Sequence, residues 1–505
     1  MPKISLRADG KKEPGVAPMA VTYHSTNNRA LKAGFREAIL GGIASDYGLY
    51  MMDRGDLPRF GAGDIRRMKS MNYAEIACTI LSPFATPDIE ETSFSTLLED
   101  AYNERCIPVN LQRVTGGTYI MWLSKGPTYS FKDFAARFFA RVLDLFLARQ
   151  GLQRVVVVAT SGDTGGAVAD ALYGLRTVSN IVFFPMDAIS EAQRRQMTTL
   201  GKNIYAFGVN GDFDVCQELA KNLLGDRAFA KEVFGDPDRF TSANSISLGR
   251  LLPQAVYPFY AYSRMDLDGR PFIASVPSGN FGDMMGTVLA KEMGLPVEKI
   301  VCGVNENREF PEFLLSGSYN VRPSEWSPST AMIVSHPSNL ARLIEFYGGY
   351  MFDERDTLTK KVVKPGVIGT MPDIEEMRRD IFSVSVSNAD HYATIRRVYE
   401  THKIILDPHG AVGWKSLMEF TGGNHDKPSV VYETADPGKF PEDTRKAIGL
   451  TPEIPEGIRR QAGLPERTYT VESPPQIDAS GSKRMSEEQY FEAKEKIGAL
   501  FRTRG

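Results

Sequence analysis

Residues 154–166 read RVVVVATSGDTGG. Four consecutive valines make a continuous β-branched run, which fits a strand buried on both faces of a parallel sheet. The glycine-rich turn after it leads into a helix over 167–175. Downstream the alternation repeats: a strand at 181–184, a helix at 190–200, a strand at 203–209 and a helix at 213–224. Upstream, Phe134, Ala135, Phe138, Val142 and Leu145 follow helical spacing over 133–146. A longer helix over 247–264 carries Pro253 and Pro258 and should kink there. A strand at 272–276 runs into PSGNFGD and a helix over 284–293. Alternation of this kind gives an α/β fold with a parallel sheet.

The remaining organisation follows from composition. A chain of 505 residues holds two to four domains at roughly 100–200 residues each. Residues 1–20 are polar and read as a flexible arm, and 21–112 as a mixed, mostly helical N-terminal domain with a helix and glycine-marked turn over 35–50. Residues 113–265 and 266–470 read as two α/β regions. Residues 471–505 read as a linker with a C-terminal amphipathic helix over 486–501. The net charge is −3, too balanced for a dedicated nucleic-acid binder. No run reaches the roughly 20 apolar residues that span a bilayer. The N-terminus has no apolar signal core, so a cytoplasmic protein is expected. Cys78, Cys106, Cys216 and Cys302 show no metal or redox spacing and read as reduced thiols. His24, His336, His391, His402 and His425 likewise show no ligand spacing, so no metal is expected.

Three loops could carry chemistry. In GPTYSFKD, 126–133, Lys132 sits just ahead of a helix whose positive end disfavours an ammonium. Burial among Tyr129, Phe131 and Phe134 would act the same way and free part of the amine for imine formation. In TSGDTGG, 160–166, small residues let backbone N–H groups face an anion, aided by the Thr160, Ser161 and Thr164 hydroxyls. SGNFGD, 278–283, offers similar donors but matches neither the P-loop nor the dinucleotide fingerprint. Alone, the lysine reads more readily as a solvated one, and each loop reads equally as a structural turn. Together, a lysine and two anion loops without a nucleotide motif point to a phosphorylated cofactor that forms an imine, for which pyridoxal 5′-phosphate is the candidate.

The ordered set GPTYSFKD, ATSGDTGG, NSISLGR (244–250), PSGNFGD, VNEN (304–307), DPHGAVG (407–413) and TADPGKF (434–440) resembles the threonine synthase family of the long fungal and enterobacterial type. The opening YHSTNN and GIASDYGLY add to the likeness, which covers about 23–441. The resemblance implies fold type II, similar to the tryptophan synthase β-chain: two α/β domains with parallel-rich sheets plus a family-specific N-terminal domain. It implies Lys132 as the Schiff-base lysine. Gly279, Asn280, Phe281 and Gly282 would cradle the cofactor phosphate, and Thr434 would bond the pyridine nitrogen. Ser161, Gly162, Asp163 and Thr164 would grip the substrate, with Asn244 and Arg250 lining its site and Lys125 holding a leaving phosphate. His409 falls in a motif where it could hold a loop.

Six positions depart from the family pattern. Asn27 replaces an arginine, Lys125 a histidine, Ser247 an asparagine, Ile333 an aspartate, Arg308 an aspartate and Asp436 a histidine. Several are expected to face the substrate. The resemblance implies a carbon–oxygen lyase converting O-phosphohomoserine and water to threonine and phosphate. The alternative is a divergent relative performing β- or γ-replacement, or phosphate elimination, on another activated amino acid. The expected partner is a small phosphorylated amino acid, with no nucleic acid or membrane, on a monomer or homodimer.

Overall fold

The computed structural model describes residues 21–357, 362–478 and 481–502. The expected arm, 1–20, lies outside them, as do two residues of the expected linker.

Two sheets organise the chain. One has five strands in the order Thr468–Val471, Ile204–Val209, Val178–Pro185, Arg154–Ala159 and Phe240–Ser242, all parallel. Val156 and Val158 join one core while Val155 and Val157 join another on the opposite face. The valine run is thus buried on both sides, as its sequence requires. The other sheet has six strands: Ile381–Ser385, Val297–Val304, Phe272–Pro277, Ser429–Glu433, Thr118–Trp122 and Asn110–Thr115. Its pairings are parallel except the last, between Asn110–Thr115 and Thr118–Trp122.

The expected region boundaries do not coincide with the sheets. Thr118–Trp122 pairs with Ser429–Glu433 in the second sheet, although the sequence groups it with the valine strand. Thr468–Val471 returns to the edge of the first sheet beside Ile204–Val209. The C-terminal helix Glu487–Arg502 docks there too, with Ala493 and Ile497 in the core of Val155, Ile181 and Phe207. Parallel pairing brings together strands remote in sequence, and local composition carries no record of which partner wins. In the expected linker, Gln476–Ile477 pairs antiparallel with Lys483–Arg484 just beyond it.

The N-terminal segment is part of the main core. Tyr23, Phe35, Ile39, Met51 and Met52 join the cluster of Phe134, Phe138 and Phe139. Each such fully buried side chain contributes about 1.5–3 kcal/mol. The expected helix over 247–264 is broken into Leu248–Leu251, a 3-10 turn Leu252–Ala255 that contains Pro253, and Val256–Arg264. Pro258 falls in the first turn of that last helix, where its missing N–H lacks a helical partner anyway.

Candidate active site

The two sheets bring the three sequence loops to one cavity. Its lining includes Phe131, Lys132, Thr160, Ser161, Asp163, Thr164, Phe213, Asn244, Arg250, Gly279, Asn280, Gly282, Asp283, Ala331, Met332, His409 and Thr434. Of the expected site residues, Gly162, Phe281 and Lys125 are not among those that line it.

Lys132 is the first residue of the helix Lys132–Gln150 rather than its predecessor. The turn before it is shaped by Tyr129 at φ 58° and by Asp133. The Thr128 N–H and hydroxyl donate to the Asp133 carboxylate at 2.9 and 2.5 Å. Phe131 N–H donates to Thr434 O at 2.8 Å, tying the lysine turn to the segment carrying Thr434. Burial pulls the Lys132 amine below its ordinary pKa; Asp163 and Asp283 oppose that, and Lys439 and Arg250 assist it. The shift is toward the neutral amine.

The 160–166 loop folds on one hydroxyl. Thr160 Oγ1 accepts from Gly162 N at 2.9 Å and Gly165 N at 2.8 Å. Gly162 has φ +131°, and a Cβ there would come within 2.3 Å of Gln193, so only glycine fits. Asp163 turns toward Lys439. Lys439 Nζ donates to Asp163 Oδ1 at 2.5 Å and to Thr128 O at 3.0 Å, and Gln193 Nε2 donates to the same carboxylate oxygen at 3.0 Å. Burial pushes Asp163 up, but Lys439 and Lys132 hold it well below the usual carboxylate range. Asp163 therefore lines the cavity as a paired carboxylate.

The 278–282 loop opens the helix Gly282–Glu292, with Phe281 at φ 60° as its cap. A Cβ on Gly279 would lie 2.9 Å from Met332 Cα, and one on Gly282 would lie 2.6 Å from Gln254 Nε2. The glycines leave a cradle of backbone amides at a helix N-terminus, suited to a phosphate. Asn339 fastens the loop from behind, its Nδ2 donating to Asn280 O at 2.9 Å and Ser245 O at 3.3 Å. Arg342, fully buried, donates in turn to Asn339 Oδ1, Ile246 O and Tyr50 O. Asp283 stands next in the chain, and burial lifts its carboxyl to about 6.

Arg250 is buried, its Nη1 donates to Ala243 O at 2.6 Å, and its Nε has no hydrogen-bond partner. Burial lowers it to about 10. Asn244 Nδ2 donates to Ala159 O at 3.0 Å. An amine, a glycine cradle and an incompletely satisfied guanidinium in one cavity fit pyridoxal phosphate carrying an anionic substrate.

The six departures lie elsewhere. Lys125 pairs with Asp436, Asn27 Nδ2 donates to Asp46 O, Arg308 pairs with Glu312, Ser247 precedes the helix Leu248–Leu251 with its hydroxyl unpartnered and Ile333 ends the 3-10 turn Thr330–Met332. None of the six is among the residues that line the cavity. Sequence reading gave no role to Lys439, Gln193, Asp283, Asn339, Arg342 or Phe213. The first and third stand inside quoted motifs; the others carry no local signal. No cluster of metal-ligating side chains and no helix long and apolar enough to cross a membrane occurs among the described residues, and the four cysteines are free.

Three family models match in order: "Threonine synthase N terminus" over 22–102, "Pyridoxal-phosphate dependent enzyme" over 110–432 and "Threonine synthase, C-terminal" over 410–479. The threonine synthase of Pseudomonas aeruginosa is 35% identical over 443 residues, 86% of this chain and 92% of its own. That of Schizosaccharomyces pombe is 31% identical over 471 residues, 85% of this chain and 89% of its own. The crystal structure of PLP-bound threonine synthase from Brucella melitensis superposes with a TM-score of 0.82 at 29% identity, covering 96% of this chain and 100% of that one. The yeast enzyme gives 0.76 at 28% identity, covering 90% and 96%.

Proposed function

The chain belongs to the threonine synthase family of pyridoxal-phosphate enzymes, and from that premise we propose the roles of its pocket residues in converting O-phosphohomoserine and water to threonine and phosphate. When bound, pyridoxal phosphate supplies an aldehyde that captures amines and a ring that withdraws electrons from the adjoining carbon. Every other task falls to the protein.

Lys132 would hold the cofactor and, as a free amine, would take the Cα proton and later move protons at Cβ. Its depressed basicity suits both tasks, since each needs a free amine. The Gly279–Gly282 backbone, with Asn280 and Phe281, would hold the cofactor phosphate. Thr434, which lines the cavity, would offer a neutral hydroxyl to the pyridine nitrogen. Ser161, Thr164 and Asn244 supply hydroxyl and amide donors for the substrate, and Gly162 lets its loop pass Gln193. Arg250 offers the unpartnered guanidinium edge to a carboxylate or phosphate. Asp163, held by Lys439, keeps the loop in place rather than binding the substrate directly. Phosphate leaves Cγ and water adds at Cβ within a cavity whose walls restrict other water.

The observation that carries this reading is the position of the six departures outside the cavity lining. It favours the family reaction over a changed substrate. Purified protein should release phosphate from O-phosphohomoserine with equimolar threonine. Turnover of O-phosphoserine in preference, or a 2-oxo acid as the main product, would replace this reading with the divergent one.

A further inference from the structure

The helix Pro408–Thr421 starts on Asp407, whose carboxylate accepts from His409 N and Gly410 N. The His409 ring is buried and uses both nitrogens. Ala331 N–H donates to Nε2 at 3.1 Å, and Nδ1 lies against Asp407 Oδ1 in a short contact. A nitrogen that accepts from an amide carries no proton, so this network assigns the proton to Nδ1, which donates to Asp407. Phe440 packs edge-on against the ring at 5.3 Å. Asp407 N–H donates to the buried Glu433 at 2.6 Å, which anchors the aspartate in turn.

The amide that His409 holds belongs to the 3-10 turn Thr330–Met332. Ala331 and Met332 form one wall of the cavity. That wall rests on the phosphate loop, for a Cβ on Gly279 would lie 2.9 Å from Met332 Cα and 3.0 Å from Ala331 O. Ser329, just before the turn, is held separately by His391 Nε2 at 3.0 Å and Asn305 Nδ2 at 3.2 Å. Ala331 N–H is therefore the turn's tie to the helix Pro408–Thr421.

We propose that His409 is a positioning residue. By accepting the Ala331 N–H it holds the Ala331–Met332 wall against Gly279 and sets how closely the cavity encloses its substrate. With both ring nitrogens engaged, it has none free for proton transfer. The kinetic consequence rests on the proposed reaction; the structural consequence does not.

Two variants separate the two nitrogens. In H409Q the amide oxygen reaches the ε position and can still accept from Ala331. In H409N the side-chain amide reaches only the δ position and can still donate to Asp407. Hydrogen exchange followed by mass spectrometry should show the peptide containing Ala331 exchanging about tenfold faster in apo H409N, the loss of one neutral hydrogen bond, with H409Q close to the unsubstituted protein. The KM for O-phosphohomoserine should rise about tenfold in H409N, with kcat changed far less, and should rise at least about threefold less in H409Q. Equal exchange in the two variants, or faster exchange in H409Q, overturns the proposal. If neither variant folds, nitrogen NMR of histidine-labelled unsubstituted protein decides, since the chain has six histidines. His409 must then show a protonated Nδ1 and a bare Nε2; the reverse tautomer overturns the proposal. The expected exchange split without turnover of O-phosphohomoserine supports the positioning role and removes only the substrate reading.

Discussion

Lys125 Nζ donates to Asp436 Oδ2 at 2.7 Å, across 311 residues of chain. Both positions are histidines in the family pattern, so two departures that look independent in the sequence are one change in the fold. Asp436 is the better buried partner, with 8% of its side chain exposed against 42% for Lys125. Its other oxygen accepts from Gly438 N, and its own N–H donates to Tyr129 O. The pair thereby fastens the turn before Lys132 to the turn that carries Lys439.

A double-mutant cycle on K125A and D436A should give a coupling of about 0.5–1 kcal/mol, because the lysine is half exposed and solvent screens it. K125A alone should cost somewhat more, about 1–2 kcal/mol, since it leaves a largely buried carboxylate short of a partner. Urea unfolding measures both. A tenfold rise in substrate KM for K125A, with stability unchanged, would instead place the ammonium on the substrate phosphate.

Lys132→Ala removes the one amine that both lines the cavity and sits at a helix start. The variant should lose the near-visible absorbance of a lysine imine, and its turnover should fall by about 10³-fold or more. Lys439 cannot substitute, because it is held by Asp163 and Thr128 O. Retention of the absorbance by K132A would transfer the cofactor to another lysine and end the assignment.

Asp133 gives the fold a pH dependence of defined sign. Burial is the main cause that pushes its carboxyl up to about 7, with the Thr128 hydroxyl pulling the other way. Between about pH 4, the unfolded value, and 7 the folded chain holds a proton that the unfolded chain has released. Stability therefore falls as pH rises through that window. In D133N this contribution should vanish, and the difference between the two proteins should grow in favour of the variant from pH 5 to pH 8, by up to a few kcal/mol. Parallel stability curves for the two proteins would refute it.

What the sequence exposed was chemistry written locally. A β-branched run, a glycine turn and a helix mark each anion loop, and Lys132 stands beside its helix in the same few residues. Pairings over long distances left no such trace. Thr118–Trp122 is apolar enough for either sheet, and its choice of Ser429–Glu433 depends on a strand some 300 residues later. Arg342 reads as one more helical arginine until its three carbonyl partners are seen. A motif position likewise does not reveal which way its side chain points. Ile333 follows a cavity-lining methionine directly and still lies off the wall.

The Asp163–Lys439 pair joins residues 276 apart, and both side chains are essentially fully buried. Removing one partner of such a pair strands the other, so K439M should cost about 3–5 kcal/mol at neutral pH. Adding D163N should recover part of that loss, because the amide can still accept from Gln193 and no charge remains. In the unsubstituted protein Asp163 is held below its ordinary value, so the pair's contribution is full above the usual carboxylate range and is lost as pH falls below it. Without the ammonium, burial would dominate and raise Asp163, so K439M should become relatively more stable as pH drops from 8 to 5. The stranded carboxylate would also draw on Lys132, which already feels its charge. That raises the lysine pKa and thins the neutral amine, so the rising limb of the pH–rate profile should move to higher pH in K439M. A K439M protein with unfolding and rate profiles superposable on the parent's would show that Lys439 neither stabilises Asp163 nor tunes Lys132.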